Sequence, residues 1–187
     1  MGPALWYFSR ATGLVSLGLF TIVMVLGALG AGRFERRGWS RLTLAALHRS
    51  LALTSVVFIA IHIVSAVADS YVSLHWIDVV LPFVSSYQPF WVGIGAMAVD
   101  LLIAIVVTSL LRTRISFRAW KAVHWLAYLC WPVALVHGIG MAQADSNRGW
   151  ILTYEVLCVL AVLIAAGARV MTSHPDTEAR KLSPLQR

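Results

Sequence analysis

The chain has 187 residues, of which 59% are hydrophobic and only 12% are charged, with a formal net charge of +7. Since a soluble domain carries about 25% charged residues, this composition argues against a water-soluble fold and favours one compact domain in a lipid bilayer. The positive charge does not indicate nucleic acid binding, because the basic residues cluster beside apolar runs, as topology signals do.

Five apolar runs predict an all-α integral membrane fold, a bundle of about five transmembrane helices. The runs cover residues 11–31, 44–67, 90–111, 120–140 and 150–171. The N-terminus lacks the basic start of a secretory signal peptide, so the first run is interpreted as a retained helix. We expect residues 1–173 to form the transmembrane domain and residues 174–187 to form a cytoplasmic polar tail.

The distribution of Lys and Arg predicts the orientation. Most basic residues follow the first, third or fifth run: Arg33, Arg36, Arg37, Arg41, Arg112, Arg114, Arg118, Lys121, Arg169, Arg180, Lys181 and Arg187. The positive-inside rule places these segments in the cytoplasm, so the N-terminus is expected outside and the C-terminus inside. The expected location is a cell membrane, the bacterial inner or plasma membrane, which the chain crosses several times.

Residues 68–89 form a long outer connection that contains Tyr71, Trp76, Phe83 and Tyr87 and is too interrupted to span the membrane. An aromatic segment of this kind is expected to lie at the membrane surface. The alternative is a docking or quinone site.

Four histidines are the main candidate functional residues, because histidine within a bilayer is costly and marks a functional site by default. His48 and His62 lie in the second run, and His124 and His137 lie in the fourth. Both runs are expected to cross from inside to outside, so His48 pairs in depth with His124 and His62 with His137. Paired neutral imidazoles at two levels, roughly 20 Å apart along each helix, predict two bis-histidine hemes.

Other interpretations of the histidines are weaker. Interhelical hydrogen bonding would suit one isolated histidine better than two matched pairs. Zinc or copper is disfavoured, because two-ligand sites are incomplete. With no C-x-x-C-H motif, the hemes would be non-covalent and b-type. His75 and His174 are interpreted as ordinary surface histidines.

Helical periodicity places His48 and His62 on nearly the same helix face, but not His124 and His137. A step of 14 residues returns to within ~40° of the same helix face, whereas a step of 13 misses by ~140°. Pro132 lies between His124 and His137. We expect a kink at this proline, with tighter winding, to restore the facing.

The stretches LHRSLALTSVVFIAIHI and VHWLAYLCWPVALVHG resemble the ferric reductase-like transmembrane family. This family includes the membrane cores of NADPH oxidases and of ferric reductases. It also includes the heme subunit that serves bacterial methionine sulfoxide reductase. That family has histidines 14 apart on one helix and 13 apart on another. The resemblance extends over residues 11–171 and implies that His48, His62, His124 and His137 are the heme ligands. This chain differs from the larger family members in that five helices are expected rather than six, with no flavin or nicotinamide domain.

Cations and aromatic residues near the expected heme levels are further candidates. Heme propionates need cationic or hydrogen-bonding partners. Arg10 is the candidate for the outer heme, while Arg49, Arg118 and Lys121 are candidates for the inner one. The alternative for each is topology and headgroup contact. Trp131, midway between the fourth-run histidines, is a candidate electronic bridge, with simple packing as its alternative.

Two more features of the spans bear on their packing. Asp100 lies near the middle of the third run and is expected to be neutral and hydrogen-bonded. Gly13, Gly18, Gly93 and Gly95 are expected to allow close approach of helices or heme.

These patterns together predict transmembrane electron transfer through two b-type hemes, as the membrane subunit of a ferric reductase-like oxidoreductase. No catalytic residue is expected within the chain. The donor would be a separate flavoprotein or a quinol, and the acceptor an extracytoplasmic or cytoplasmic redox partner. The alternatives are a quinol-oxidising or quinone-reducing cytochrome b, and a non-redox carrier of heme or metal.

Overall fold

The computed structural model describes residues 4–31, 40–70, 72–142 and 148–171, and every regular element in these ranges is a helix. The helices are α1 Ala4–Ala31, α2 Arg41–Ala68, α3 Trp76–Val80, α4 Pro89–Leu110, α5 Phe117–His124, α6 Ala127–Met141 and α7 Arg148–Met171. Five segments of the described chain are long and apolar enough to cross a membrane, with α5 and α6 counted as one. The predicted all-α fold with five spans is therefore confirmed.

Local sequence signals set several helix ends. The Ser40 hydroxyl accepts a hydrogen bond from the backbone N–H of Thr43 at the start of α2, and Ser116 caps α5 through Ala119 in the same way. Pro89 occupies the first turn of α4, where a missing N–H leaves no helical bond unmade. The predicted start of the first span was wrong by about two turns, because α1 already begins at Ala4.

The expected kink in the fourth span lies at a different place from the one predicted. Pro132 is inside the continuous helix α6, and the break is the turn at Trp125 and Leu126. There the N–H groups of Leu126, Tyr128 and Leu129 donate to carbonyls three residues earlier. Each such step turns the chain by about 20° more than an α-helical step, which recovers part of the phase mismatch.

Helix α1 is the central element of the bundle and its most buried span. It packs against α2 along one side and against α6 and α7 on the other, while α4 packs on α6. The apolar core lies where α1, α4, α6 and α7 meet, and its buried residues are Leu17, Phe20, Met24, Ile105, Cys130, Trp131, Leu135 and Cys158. Since α2 packs mainly against α1, its other faces remain available to a ligand or to lipid.

The outer connection folds back onto the start of α4 through the single-turn helix α3. Trp76 is exposed, but Asp78 is buried, and its carboxylate accepts a hydrogen bond from the backbone N–H of His75. His75 thus stands at the start of α3 with an exposed ring, in keeping with a surface role.

Several residues named in the sequence predictions lie outside the described part of the chain. Those that support the predicted orientation are Arg33, Arg36, Arg37, Arg180, Lys181 and Arg187. The others are His174, Tyr71 and the boundary expected at residue 173. The N-outside orientation and the domain division therefore stay predictions.

Candidate functional site

His48 and His124, which the sequence interpretation assigns to the inner pair, lie close together in the fold. The imidazole rings of His48 on α2 and His124 at the end of α5 have centres 6.2 Å apart and planes inclined by 66°. Two imidazoles that bind one ion from opposite sides through bonds of about 2 Å would place their ring centres roughly 6 Å apart. At this separation, His48 and His124 would be able to hold one metal ion between them.

Three of the four histidines make the same kind of hydrogen bond on their Nδ1 side. Nδ1 of His48 lies 3.1 Å from the carbonyl oxygen of Val23, and Nδ1 of His62 lies 2.7 Å from that of Ser9. Nδ1 of His137 lies 2.8 Å from the carbonyl oxygen of Trp91. Because a carbonyl only accepts, each Nδ1 must carry the proton, which leaves the lone pair on Nε2. This is the usual arrangement of histidines that bind metals.

His124 differs from the other three. Its Nδ1 is buried and has no hydrogen-bond partner among the residues that the structure describes. The ring is stacked on Trp120 instead, with centres 5.0 Å apart and planes inclined by 21°. The inner pair thus joins one hydrogen-bonded imidazole to one held by stacking.

The outer histidines share a cavity of about 790 Å³ between α2 and α6. His62 projects into it from α2 and His137 from α6, and the walls are largely apolar, with Leu17, Phe20 and Leu102 among the lining residues. The volume falls in the range of sites for cofactors and small molecules, ~300–1,000 Å³. Both imidazoles therefore line one largely apolar space.

Arg10 is placed with the outer histidines. Its side chain lines the same cavity as His62 and His137, and its Nη2 donates a 3.1 Å hydrogen bond to the carbonyl of Met141. The guanidinium also lies over the ring of Trp6, 4.5 Å from its centre. Arg10 therefore provides a cation at the wall of the cavity that His62 and His137 also line.

The inner candidates are more dispersed. Arg49 is exposed on α2 beside His48, and Arg118 and Lys121 are exposed on α5. Arg112 is linked to His124 through Trp120. Its guanidinium lies 4.6 Å from the centre of the Trp120 ring, which stacks on His124. The sequence interpretation treated Arg112 only as a topology residue, because twelve positions separate it from His124 and the turn after α4 brings them together.

Trp131 is buried in the bundle core and its indole N–H donates to the Thr21 hydroxyl. It is packed among apolar residues of α1, α4 and α7. Packing is therefore a clear role of this side chain, and the bridging role stays a prediction.

Glu155 on α7 is a site residue that the sequence interpretation missed. It is only 2% exposed and lines the cavity of the outer histidines. Neither carboxylate oxygen has a hydrogen-bond partner within the described part of the chain. A carboxyl group inside an apolar span is the signal that could have identified it. Asp100, the carboxylate that the sequence singled out, is half-buried on α4.

The donor set fits a heme better than a bare metal ion. In the described ranges no three His, Cys, Asp or Glu side chains come together as ligands of one ion. Each pair would supply two imidazole nitrogens to an iron whose other ligands belong to a macrocycle. The half-buried, hydrogen-bonded imidazoles, the ring separation of the inner pair and the apolar outer cavity all suit that group.

The fold and site together define a multi-pass membrane protein in which two pairs of histidines come from different helices. Comparison with protein families gives the narrower assignment, since the ferric reductase like transmembrane component matches residues 12–135. The chain belongs to this family, whose members generally bind heme and work with other redox proteins. The matched region contains His48, His62 and His124 and ends two residues before His137.

Curated proteins and solved structures were also compared with the chain. Neither comparison gave a significant match.

Proposed function

We propose that this chain passes single electrons across the membrane through two b-type hemes, one between His48 and His124 and the other between His62 and His137. The observation that carries the proposal is the set of Nδ1–H bonds to backbone carbonyls, which leaves Nε2 of three histidines free to bind a metal. Heme held by these residues would supply a one-electron iron couple, and with both histidines bound it would leave no position open to a substrate.

The residues of the chain have distinct tasks in this proposal. Backbone carbonyls on α1 and α4 hold His48, His62 and His137 in one tautomer, so the ligand nitrogens are oriented before the cofactor binds. The apolar walls of the outer cavity keep water away from the redox centre. Arg10 offers positive charge at the wall of that cavity, where a carboxylate of the cofactor would gain a charge-assisted hydrogen bond.

We infer further that the N-terminus lies outside and the C-terminus in the cytoplasm, in a bacterial inner or plasma membrane. Electrons would come from a separate flavoprotein or a quinol and go to a redox acceptor on one side of the membrane. A separate donor is needed because heme accepts one electron at a time, whereas nicotinamide delivers a hydride.

The test is a visible spectrum of the purified full-length chain, with heme and protein quantified in the same sample. Two low-spin b hemes per chain that are reduced and reoxidised reversibly would support the proposal. One heme in fully loaded protein would refute the two-heme arrangement. Heme that resists reversible reduction would favour a carrier instead.

A second candidate function, quinol oxidation or quinone reduction near the outer pair, is favoured by Glu155. Its carboxyl is buried at the cavity wall without a partner among the described residues, and a quinol must give up protons together with its electrons. Under this function, Glu155→Gln should slow heme reduction by a short-chain quinol and leave reduction by dithionite unchanged. Equal rates for the variant and the natural chain with quinol would remove this candidate.

A further inference from the structure

A repeated relation between a carbonyl and a glycine underlies the histidine hydrogen bonds. The carbonyl of Ser9 accepts from His62, and Gly13 is four residues later on α1. The carbonyl of Val23 accepts from His48, with Gly27 four residues later.

Helix α4 repeats the arrangement. The carbonyl of Trp91 accepts from His137, and Gly95 is again four residues later. All three histidines therefore bind a carbonyl at position i of a neighbouring helix that has glycine at position i+4.

Helix geometry gives the reason for this spacing. The carbonyl of residue i already accepts from the N–H of residue i+4, and the side chain of residue i+4 leans back over it. Helix α1 shows such coverage directly, because the hydroxyls of Thr12, Ser16 and Thr21 each donate to the carbonyl four residues before them. Glycine leaves the second lone pair of the carbonyl open to a side chain from another helix.

The imidazoles lie against these glycines. A Cβ atom added to Gly95 would lie 2.6 Å from Cε1 and Nδ1 of His137, and one added to Gly13 would lie 3.0 Å from the same atoms of His62. For Gly27 the nearest atom is Cε1 of His48 at 3.4 Å, an ordinary contact. The space that the glycines leave is thus filled by the histidine rings in two cases and only approached in the third.

We propose that Gly13, Gly27 and Gly95 are positioning residues which, each with the carbonyl four residues earlier, form a seat that fixes the tautomer and orientation of one heme-ligand histidine. We call this pair of groups a carbonyl–glycine seat. The proposal rests on the proposed function for the role of the histidines as ligands, but the seats themselves are features of α1 and α4. No seat is present at His124, whose Nδ1 has no partner in the described structure.

The same seat elsewhere in the bundle provides a matched control. The hydroxyl of Tyr154 on α7 donates a 2.8 Å hydrogen bond to the carbonyl of Leu14, and Gly18 lies four residues later. A Cβ atom on Gly18 would collide with that hydroxyl. Gly30 on the same helix has nothing within 4 Å of an added Cβ. Gly18→Ala therefore disturbs a seat that holds no ligand, and Gly30→Ala disturbs none.

The experiment compares five Gly→Ala variants of the full chain in lipid or detergent, with heme affinity, low-spin EPR signals and midpoint potentials as readouts. Gly95→Ala and Gly13→Ala should weaken binding of the outer heme about 10- to 100-fold, as the loss of a supporting group around a ligand does. They should also change its EPR g values and leave the inner heme as it was. Gly27→Ala should have a smaller effect, confined to the inner heme. Gly18→Ala should lower thermal stability with both hemes retained, and Gly30→Ala should match the natural chain.

Histidine ¹⁵N NMR on the same samples reads the tautomer whatever the heme content. Three histidines of the natural chain should carry the proton on Nδ1, and the His137 signal should lose that signature in Gly95→Ala. Two outcomes would overturn the seats: outer-heme properties of Gly13→Ala and Gly95→Ala equal to those of Gly30→Ala, or equal outer-heme losses in Gly18→Ala. A natural chain with the Nδ1–H signature but no bound heme would support the seats and refute the proposed function.

Discussion

The indole Nε1 of Trp131 on α6 donates a 3.0 Å hydrogen bond to the hydroxyl of Thr21 on α1. Both side chains are buried, and the Thr21 hydroxyl donates in turn to the carbonyl of Leu17. This chain of two bonds fixes α6 against the central helix, between the levels of the two histidine pairs.

Replacing Trp131 separates its packing role from any role in electron transfer. Trp131→Phe removes the hydrogen bond but keeps an aromatic ring, so it should cost about 1 kcal/mol of stability and retain both hemes. Trp131→Ala should cost about 3–5 kcal/mol, because it also leaves a cavity. Thermal unfolding in detergent measures both. A rate of electron exchange between the hemes that falls in Trp131→Phe, with stability nearly unchanged, would assign the bridging role to the indole.

The pairing of the histidines predicts which variants lose the same heme. His48→Ala and His124→Ala should both lose the inner heme, because the centres of their rings lie 6.2 Å apart. His62→Ala and His137→Ala should both lose the outer one, because they share one cavity. Heme content and midpoint potentials of the four variants measure this, with His75→Ala as control. Loss of the same heme in His48→Ala and His62→Ala would be incompatible with the two-level arrangement.

The unequal surroundings of the ligands predict an order of the two midpoint potentials. A hydrogen bond from Nδ1–H to a carbonyl makes the imidazole more basic and favours ferric iron. Both outer histidines make such a bond, whereas His124 of the inner pair does not. We therefore expect the inner heme to have the higher potential. In a redox titration, His48→Ala should remove the higher-potential component, and removal of the lower one would reverse this assignment.

Arg10 should tune the outer heme alone. Its guanidinium lines the outer cavity, and loss of a nearby positive charge disfavours the reduced state, which carries one more electron. Arg10→Ala should lower the midpoint potential of the outer heme and leave the inner one unchanged, while Arg10→Lys should restore most of the shift. Arg114→Ala, in the exposed turn between α4 and α5, serves as the control. If Arg10→Ala and Arg114→Ala give the same titration curve, Arg10 is a topology or headgroup residue.

A separate electron donor is also expected. The sequence has no G-x-G-x-x-G motif for a nucleotide, and heme cannot accept a hydride directly. NADH or NADPH alone should leave the hemes oxidised, while a flavin reductase with its nicotinamide, or a quinol, should reduce them. Stopped-flow absorbance with flavin-free protein measures this. Fast reduction by nicotinamide alone would show that the chain has its own hydride-accepting site.

The sequence was sufficient for the features that depend on composition and on distance along a helix. Long apolar runs must be helical in lipid, since only then are all backbone groups hydrogen-bonded, and five spans follow from their lengths. The four histidines stand out for a similar reason, because a polar ring within an apolar span is costly without a function. The inner pair at His48 and His124 could be predicted from depth alone.

The tertiary structure decided what depends on contacts between distant segments. The phase of His137 is changed by a tight turn at Trp125, which no proline marks. The hydrogen bonding of that turn depends on how α5 and α6 pack against α4. Glu155 lines the histidine cavity only because α7 returns to it. The glycines of α1 could be recognised in the sequence as small residues. Their role depends on nearby backbone carbonyls, to which histidines of other helices donate hydrogen bonds. Such relations join residues far apart in the chain, and packing alone brings them together.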